Sequence, residues 1–149
     1  MYFQKTLPAS LAIALALTMQ LQAAAPEVKI FKTRTCGCCA KWVEHLKANG
    51  FVPLVTEVAS TAEYRRQYGV PEKLQSCHTA VVQGHAIEGH VPASDIHRLL
   101  KSRKKGGLAV PGMPVGSPGM EQGDRQAAYS VILFDSEGST SVFQKYEAK

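Results

Sequence analysis

Short apolar runs alternate with amphipathic stretches over most of the chain after residue 27. Runs of β-branched and aromatic residues are typical of strands, and apolar residues three or four positions apart are typical of helices. This pattern predicts four strands, at residues 28–31, 52–58, 79–82 and 86–91. It also predicts three helices: one after residue 39 that stops at Asn49-Gly50, one opened by the capping box Ser60-Thr61-Ala62-Glu63 and ending near Gly69, and one capped by Ser94.

The resulting order is strand, helix, strand, helix, strand, strand, helix, which is the thioredoxin arrangement. It predicts an α/β fold with a mixed sheet and flanking helices. In that fold a reactive cysteine lies where the first strand leads into the first helix, and the loop before the third strand lies against it. Here these two places hold Cys36-Gly37-Cys38-Cys39 and Cys77-His78-Thr79. We therefore expect these two segments to meet in space.

A segment rich in glycine and proline follows the third predicted helix. Residues 106–124 contain six Gly and three Pro, too many for a helix or a central strand, so we predict a loop. This loop carries Met113 and Met120 in similar Pro-Gly-Met phrases. Beyond it, strands at residues 129–134 and 140–146 are predicted to form a C-terminal β-hairpin.

The first 25 residues have the pattern of a secretory signal peptide. Lys5 precedes an uncharged apolar run at residues 7–19, and small residues follow at 23–25. A membrane-spanning helix is the competing interpretation, but the run is only about long enough to span. We therefore predict export to the periplasm, cleavage near residue 25 and a single domain over residues 26–149, with no stable membrane anchor.

Length and charge exclude several classes of function. A chain of 149 residues has no room for two large catalytic domains. Removing residues 1–25 leaves 16 basic and 12 acidic residues, a net charge of +4. The basic cluster at residues 101–105 is interpreted as the last turn of a helix. Export and the lack of interleaved aromatic residues argue against nucleic-acid binding.

The four cysteines are clustered rather than spread along the chain. An oxidising compartment usually pairs cysteines as structural disulfides, but three of these lie at positions 36, 38 and 39, and the fourth is Cys77. A thiol at a helix N-terminus is favoured as thiolate, and Arg34 and Lys41 are sequence neighbours of the cluster. The pattern therefore indicates redox chemistry or a soft metal.

Both alternatives remain open at the level of the residues. Cys36 and Cys39 form the Cys-x-x-Cys of a thiol oxidoreductase, yet disulfide exchange does not need Cys38. No proline occurs at positions 77–79, where thioredoxin-like oxidoreductases normally have one, and this weakens the redox interpretation. Several thiolates suit Cu(I) best, with Zn(II) possible, and adjacent cysteines favour a thiolate-bridged cluster over one tetrahedral ion.

Further side chains are candidates near the cluster. His78 adjoins Cys77 and is a candidate metal ligand, as are the soft thioethers of Met113 and Met120. For His90 a structural hydrogen bond to a neighbouring loop is favoured over a ligand role. The remaining histidines, His45, His85 and His97, are predicted to be solvated at the surface.

Taken together, these segments resemble the CopG-like periplasmic copper-resistance proteins, a family long catalogued as a domain of unknown function. The matching segments are Cys36-Gly37-Cys38-Cys39 with Trp42, residues 76–80 (SCHTA), 88–93 (EGHVPA), 107–114 (GLAVPGMP) and 116–121 (GSPGME). The resemblance implies a thioredoxin-like fold and Cu(I) bound in a thiolate-bridged, multinuclear site. Carried over position by position, the implied ligands are Cys36, Cys38, Cys39 and Cys77.

These observations predict an exported copper-binding protein that sequesters Cu(I) or hands it on, contributing to copper resistance. Its expected partners are copper ions and periplasmic copper-handling or efflux proteins. The alternative is a periplasmic thiol-disulfide oxidoreductase, or a thiol-based copper reductase, using Cys36 and Cys39.

Overall fold

The structure is a computed structural model that describes residues 24–149. The signal peptide predicted for residues 1–25 lies outside the described residues, apart from its last two positions. Within the described part of the chain, no helix is both long enough and apolar enough to cross a membrane.

Residues 24–149 form seven strands, three α-helices and one short 3₁₀ helix. The strands are β1 (Glu27–Lys32), β2 (Val52–Glu57), β3 (His78–Val82), β4 (His85–Glu88), β5 (Gly107–Ala109), β6 (Tyr129–Phe134) and β7 (Thr140–Tyr146). The helices are α1 (Gly37–Ala48), α2 (Ala62–Gln67) and α3 (Ala93–Lys101), and the 3₁₀ helix covers Glu72–Leu74.

All seven strands of the described chain join one mixed sheet in the order β2-β1-β3-β4-β5-β6-β7. β1 is parallel to β2 and antiparallel to β3, which forms a hairpin with β4. These four strands, together with α1 and α3, form the predicted thioredoxin-like fold. β5 then joins β4 in parallel, and the predicted C-terminal hairpin of β6 and β7 completes the sheet.

The main core lies between the sheet and the two helices α1 and α3. Alternate residues of β1 are buried, as expected for a strand with one face against helices. The fully buried side chains of this core include Val28, Ile30, Trp42, Leu46, Ile96 and Leu99. A smaller apolar cluster around Phe134 covers the other face. The Trp42 indole N–H donates to the Val91 carbonyl oxygen at 2.9 Å, which ties α1 to the chain that enters α3.

One prediction for the Gly/Pro-rich segment is wrong. Residues 107–109 form β5, a central strand, although their composition indicated a loop. The reason is a close approach: a Cβ at Gly107 would collide with the Ala86 carbonyl oxygen and the Phe134 ring. Glycine is therefore required for β5 to fit between its neighbours. The rest of the segment has no strand beyond an isolated bridge between Gln122 and Arg125.

Some predicted element ends are also wrong. α3 begins at Ala93 with Pro92 as its N-cap, so Ser94 lies inside the helix and does not cap it. The amide N–H groups of Asp95 and Ile96 both donate to the Pro92 carbonyl oxygen. The N-cap of α2 is Thr61, whose side chain makes no cap hydrogen bond. The hydroxyl of the preceding Ser60 accepts from the Ala62 amide at 3.2 Å. The strand predicted at 86–91 covers only His85–Glu88.

Candidate metal centre

The fold brings the two cysteine-bearing segments together as predicted. Lys32 at the end of β1 pairs with His78 at the start of β3, so the chain after β1 and the chain before β3 lie side by side. Cys36 precedes α1, while Cys38 and Cys39 lie in its first turn. The Sγ atoms of all four cysteines lie within 4.8 Å of one another.

Two of the cysteines are joined in this structure. Cys36 and Cys39 form a disulfide, and Cys38 and Cys77 are free thiols. The Sγ atoms of Cys36 and Cys38 are 3.6 Å apart. Cys39 is fully buried, whereas the other three are partly exposed. Four thiolate ligands are therefore available only after the disulfide has been reduced.

The Cys77 thiol is protonated in the metal-free protein. Burial, with a smaller contribution from the neighbouring Cys38, raises the pKa of Cys77 to about 12. A soft metal that binds this sulfur must displace its proton, so binding releases protons to solvent. Arg34, a predicted neighbour of the cluster, instead forms an ion pair with Glu57 at 3.2 Å.

Two histidine rings contact the Cys77 sulfur. His90 Nε2 lies 3.0 Å from Cys77 Sγ, and its Nδ1 lies 2.7 Å from the Pro118 carbonyl oxygen. His78 Nδ1 lies 3.3 Å from the same sulfur. Both rings are fully buried. Cys77, His78 and His90 thus form a second group whose ligand atoms lie within 4.8 Å of one another.

Burial keeps both imidazoles neutral. It lowers the pKa of His90, and it lowers the pKa of His78 to about 3. The His78 ring packs on the Trp42 indole with centroids 4.3 Å apart. Its Nε2 has no hydrogen-bond partner among the described residues. The predicted hydrogen bond of His90 to a neighbouring loop is present. Its contact with Cys77 was not predicted, because that contact depends on the path of the chain through the β3–β4 hairpin.

The other three histidines are not simply solvated, so that prediction is wrong. Each is half-buried and makes a hydrogen bond to the backbone. His45 Nε2 accepts from the Ala93 N–H at 3.0 Å, His85 donates to the Gly106 carbonyl at 2.7 Å, and His97 donates to the Asn49 carbonyl at 2.8 Å. Each of these rings therefore stabilises the backbone near the end of a helix or strand.

Part of the Gly/Pro-rich segment packs against the cysteines. A Cβ on Gly119 would lie 2.8 Å from the Cys38 carbonyl oxygen and 2.9 Å from the Trp42 amide nitrogen. Met120 follows and is partly buried, whereas Met113 is 52% exposed. The Gly/Pro-rich segment therefore covers one side of the cysteine cluster. Met120 directly follows Gly119 and so lies closer to this contact along the sequence than Met113 does.

A buried carboxylate beside the loop that carries Cys77 was not predicted from the sequence. Glu88 accepts hydrogen bonds from the Ser76 amide and the Thr79 hydroxyl, both at 2.7 Å. Arg65 Nη1 lies 3.6 Å from the same carboxylate. Burial raises the pKa of Glu88, and these partners oppose the shift. Because Ser76 and Thr79 flank Cys77, Glu88 positions the loop that carries the thiol.

The donor atoms fit a soft ion. Thiolate ligands select Cu(I), Zn(II) or iron–sulfur centres, and imidazole nitrogen suits copper and zinc. Four sulfurs and two imidazoles converge here, with no carboxylate in either ligand group of the described residues. Hard ions such as Mg²⁺ and Ca²⁺, which prefer oxygen ligands, do not match this set.

The fold and the site together define the class of this protein as a thioredoxin-like domain with a cysteine cluster at the start of its first helix. A family described as "Protein of unknown function, DUF411" matches residues 74–120. Two solved structures, "Copper resistance protein copG- Form 2" and "Copper resistance protein copG- Form 1", share 45% sequence identity and a TM-score of 0.78 with this chain. Each covers 81% of this chain, which in turn covers 98% and 97% of theirs. A comparison with curated proteins gave no match. The chain belongs to the CopG family of copper resistance proteins.

Proposed function

We propose that this protein is exported to the periplasm, where it sequesters Cu(I) or hands it on and so contributes to copper resistance. Its ligands are Cys36, Cys38, Cys39 and Cys77. The observation that carries the proposal is the approach of four sulfur atoms within 4.8 Å of one another. The names of its structural relatives support a role in copper resistance.

The donor set favours Cu(I) over Zn(II). Structural zinc sites typically combine two cysteine pairs, each contributing two ligands to one tetrahedral ion. Here Cys38 and Cys39 are adjacent and only one Cys-x-x-Cys is present. Thiolates that bridge several Cu(I) ions make better use of such closely spaced sulfurs. We therefore propose a multinuclear, thiolate-bridged site.

Access to the site fits a protein that loads and releases its metal. Cys36, Cys38 and Cys77 remain partly exposed, so an ion can reach the sulfurs from solvent. Cys39 lies on the buried side and closes the site against the core. The partners we propose are copper ions themselves and copper-handling or efflux proteins of the periplasm.

A second candidate function follows from the Cys36–Cys39 disulfide. As a thiol-based copper reductase, two thiolates would give up two electrons, forming the disulfide and converting two Cu(II) ions to two Cu(I) ions. As a thiol-disulfide oxidoreductase, Cys36 would attack a substrate disulfide and Cys39 would resolve the mixed disulfide. Both alternatives use cysteines that also belong to the copper site.

Single-cysteine variants test the shared copper site. The reduced protein is titrated with Cu(I) without oxygen, in competition with a chromophoric chelator, beside Cys36→Ser and Cys77→Ser. Ala40→Ser is the matched control, because it places the same side chain on an exposed position of α1 without removing a sulfur. We expect both cysteine variants to lose most of the bound copper and the control to lose none. Full copper stoichiometry in either cysteine variant would contradict the proposal.

A further inference from the structure

A cavity of about 470 Å³ lies at the end of the sheet opposite to the cysteines. Cys77 directly precedes β3, whereas the cavity is lined by Gly84, which lies in the turn after β3. We propose that this cavity is a binding site for a small organic anion with an aromatic body. The proposal does not depend on the copper role proposed above, because no residue of the cysteine cluster lines the cavity.

The walls of the cavity are turns and loops that leave its centre open. They come from the end of α2, the β3–β4 turn, the loop before β5 and the turn after β6. Gly69 and Gly84 have φ of +68° and +83°, which favours glycine, and a Cβ at either would meet no atom within 4 Å. Small-molecule sites have volumes of about 300–1,000 Å³. The cavity is therefore large enough for a small organic molecule.

Aromatic side chains form the apolar part of the lining. Phe134 and Ala86 line the cavity and are buried members of the smaller apolar cluster, against which Tyr68 packs. Aromatic rings bury a large apolar surface and favour offset or edge-to-face contacts with other rings. A flat aromatic body would therefore be stabilised against Phe134 and Tyr68.

A basic patch adjoins the cavity and consists of Lys101, Arg103, Lys104 and Lys105. The sequence interpretation placed these residues in the last turn of a helix, but α3 ends at Lys101, so the helix dipole does not account for the other three. All four are exposed, and none forms an ion pair within residues 24–149. Their charge equals the whole net charge of +4 on residues 26–149. The positive charge of the protein is therefore concentrated at this end.

Lys105 brings this charge to the cavity, which it lines together with Asp135. The Asp135 carboxylate accepts from the amides of Glu137 and Ser139, both at 2.9 Å, so its charge is partly offset within its own turn. The Lys105 ammonium has three N–H donors and no acceptor. A carboxylate, sulfonate or phosphate group on the ligand would supply the acceptor, while the aromatic lining holds the ligand body.

A fluorescent organic anion tests the site. The probe is 8-anilinonaphthalene-1-sulfonate, which joins a sulfonate to two aromatic groups and fluoresces strongly only away from water. It is titrated into the folded protein, and ¹H–¹⁵N amide spectra are recorded with and without it. We expect one probe per chain and amide shifts at Gly69, Gly84 and Gly106. The amides of Gly112 and Gly119, which lie against the cysteine-bearing segments, should not shift. Absence of binding, or shifts centred elsewhere, would overturn the proposal.

Two neighbouring lysines separate the cavity from the basic patch as a whole. Lys105 lines the cavity and Lys104 does not, and both are exposed, so Lys105→Gln and Lys104→Gln make the same change in charge. We expect Lys105→Gln to weaken probe binding roughly fivefold and Lys104→Gln to weaken it less than about twofold. Equal weakening in the two variants would mean attraction to the patch alone and would overturn the proposal.

Two further compounds test the class of ligand. N-phenyl-1-naphthylamine has the same rings without the sulfonate, and we expect it to bind more weakly than the probe. Sodium sulfate supplies an anion without the rings, and it should displace no more probe than sodium chloride does at the same ionic strength. Equal affinity for the uncharged compound would refute the need for an anion, and specific displacement by sulfate would refute the need for an aromatic body. Either result overturns the proposal.

Discussion

Replacing Glu88 by alanine removes the buried carboxylate that holds both sides of the Cys77 loop. The carboxylate accepts one hydrogen bond from the Ser76 amide and one from the Thr79 hydroxyl, each at 2.7 Å. It also faces Arg65, whose nitrogen lies 3.6 Å away. Alanine leaves these buried donors without an acceptor and opens a cavity between them.

The magnitude follows from these contacts. A hydrogen bond to a charged group contributes roughly 1.5–3 kcal/mol, and Glu88 makes two, so we expect a loss of about 3–6 kcal/mol in unfolding free energy. For a chain of this size, ~1 kcal/mol corresponds to roughly 4 °C in Tm, so Tm should fall by roughly 12–24 °C. Glu88→Gln keeps an oxygen that accepts from Ser76, and the Thr79 hydroxyl can rotate to accept from the amide. Its expected cost is about 1 kcal/mol.

The assay is equilibrium unfolding in urea of the wild type, Glu88→Gln and Glu88→Ala, followed by Trp42 fluorescence. Trp42 is the only tryptophan and is fully buried in the core, so its emission reports global unfolding. The expected order of stability is wild type, then Gln, then Ala. A loss below about 1 kcal/mol for Glu88→Ala would refute the reasoning, because such a loss is smaller than one charged hydrogen bond.

Further expectations concern the covering segment and pH. Gly119→Ala should destabilise by about 1–3 kcal/mol in thermal melts, because its Cβ would lie 2.8 Å from the Cys38 carbonyl at φ +88°. Gly112→Ala, with φ +68° and nothing within 4 Å, should cost less, and equal costs would contradict the packing argument. In metal-free protein burial lowers the pKa of His78 to about 3, against 6.5 for a solvent-exposed histidine in the unfolded chain. The unfolded chain therefore binds the proton first, and this ring should lower stability by about 1.4 kcal/mol per pH unit as pH falls below 6.5 toward 3. Urea unfolding of wild type and His78→Gln over this window checks the slope, which should be shallower in the variant.

The part of the fold carried by regular patterns was predictable from the sequence. Alternation in β1 and the apolar stripe of α1 indicated the order of elements, and that order placed Cys36 and Cys77 together. β5 was not predictable, because composition treats Gly107 as a breaker while the close approach of Phe134 requires glycine. Whether β5 forms is therefore decided by a tertiary contact, which a local sequence pattern does not reveal.

The side-chain network of the site was less predictable than its cysteines. Glu88 reaches Thr79 because these two residues are paired across the β3–β4 hairpin, and a shift of one residue would place the carboxylate on the opposite face. His90 reaches Cys77 through a turn whose path the sequence does not specify. Spacing therefore located the sulfurs, whereas the buried acid and the imidazoles required the strand register.

Anaerobic Cu(I) loading of the fully reduced protein, with copper and reactive thiols counted on the same sample, tests the central claim most directly. We predict at least one bound copper ion per chain, with all four cysteines protected from alkylation. More than one ion per chain would support a thiolate-bridged cluster. No retained copper, together with a reversible Cys36–Cys39 disulfide and freely reactive Cys38 and Cys77, would contradict the account and favour thiol redox chemistry.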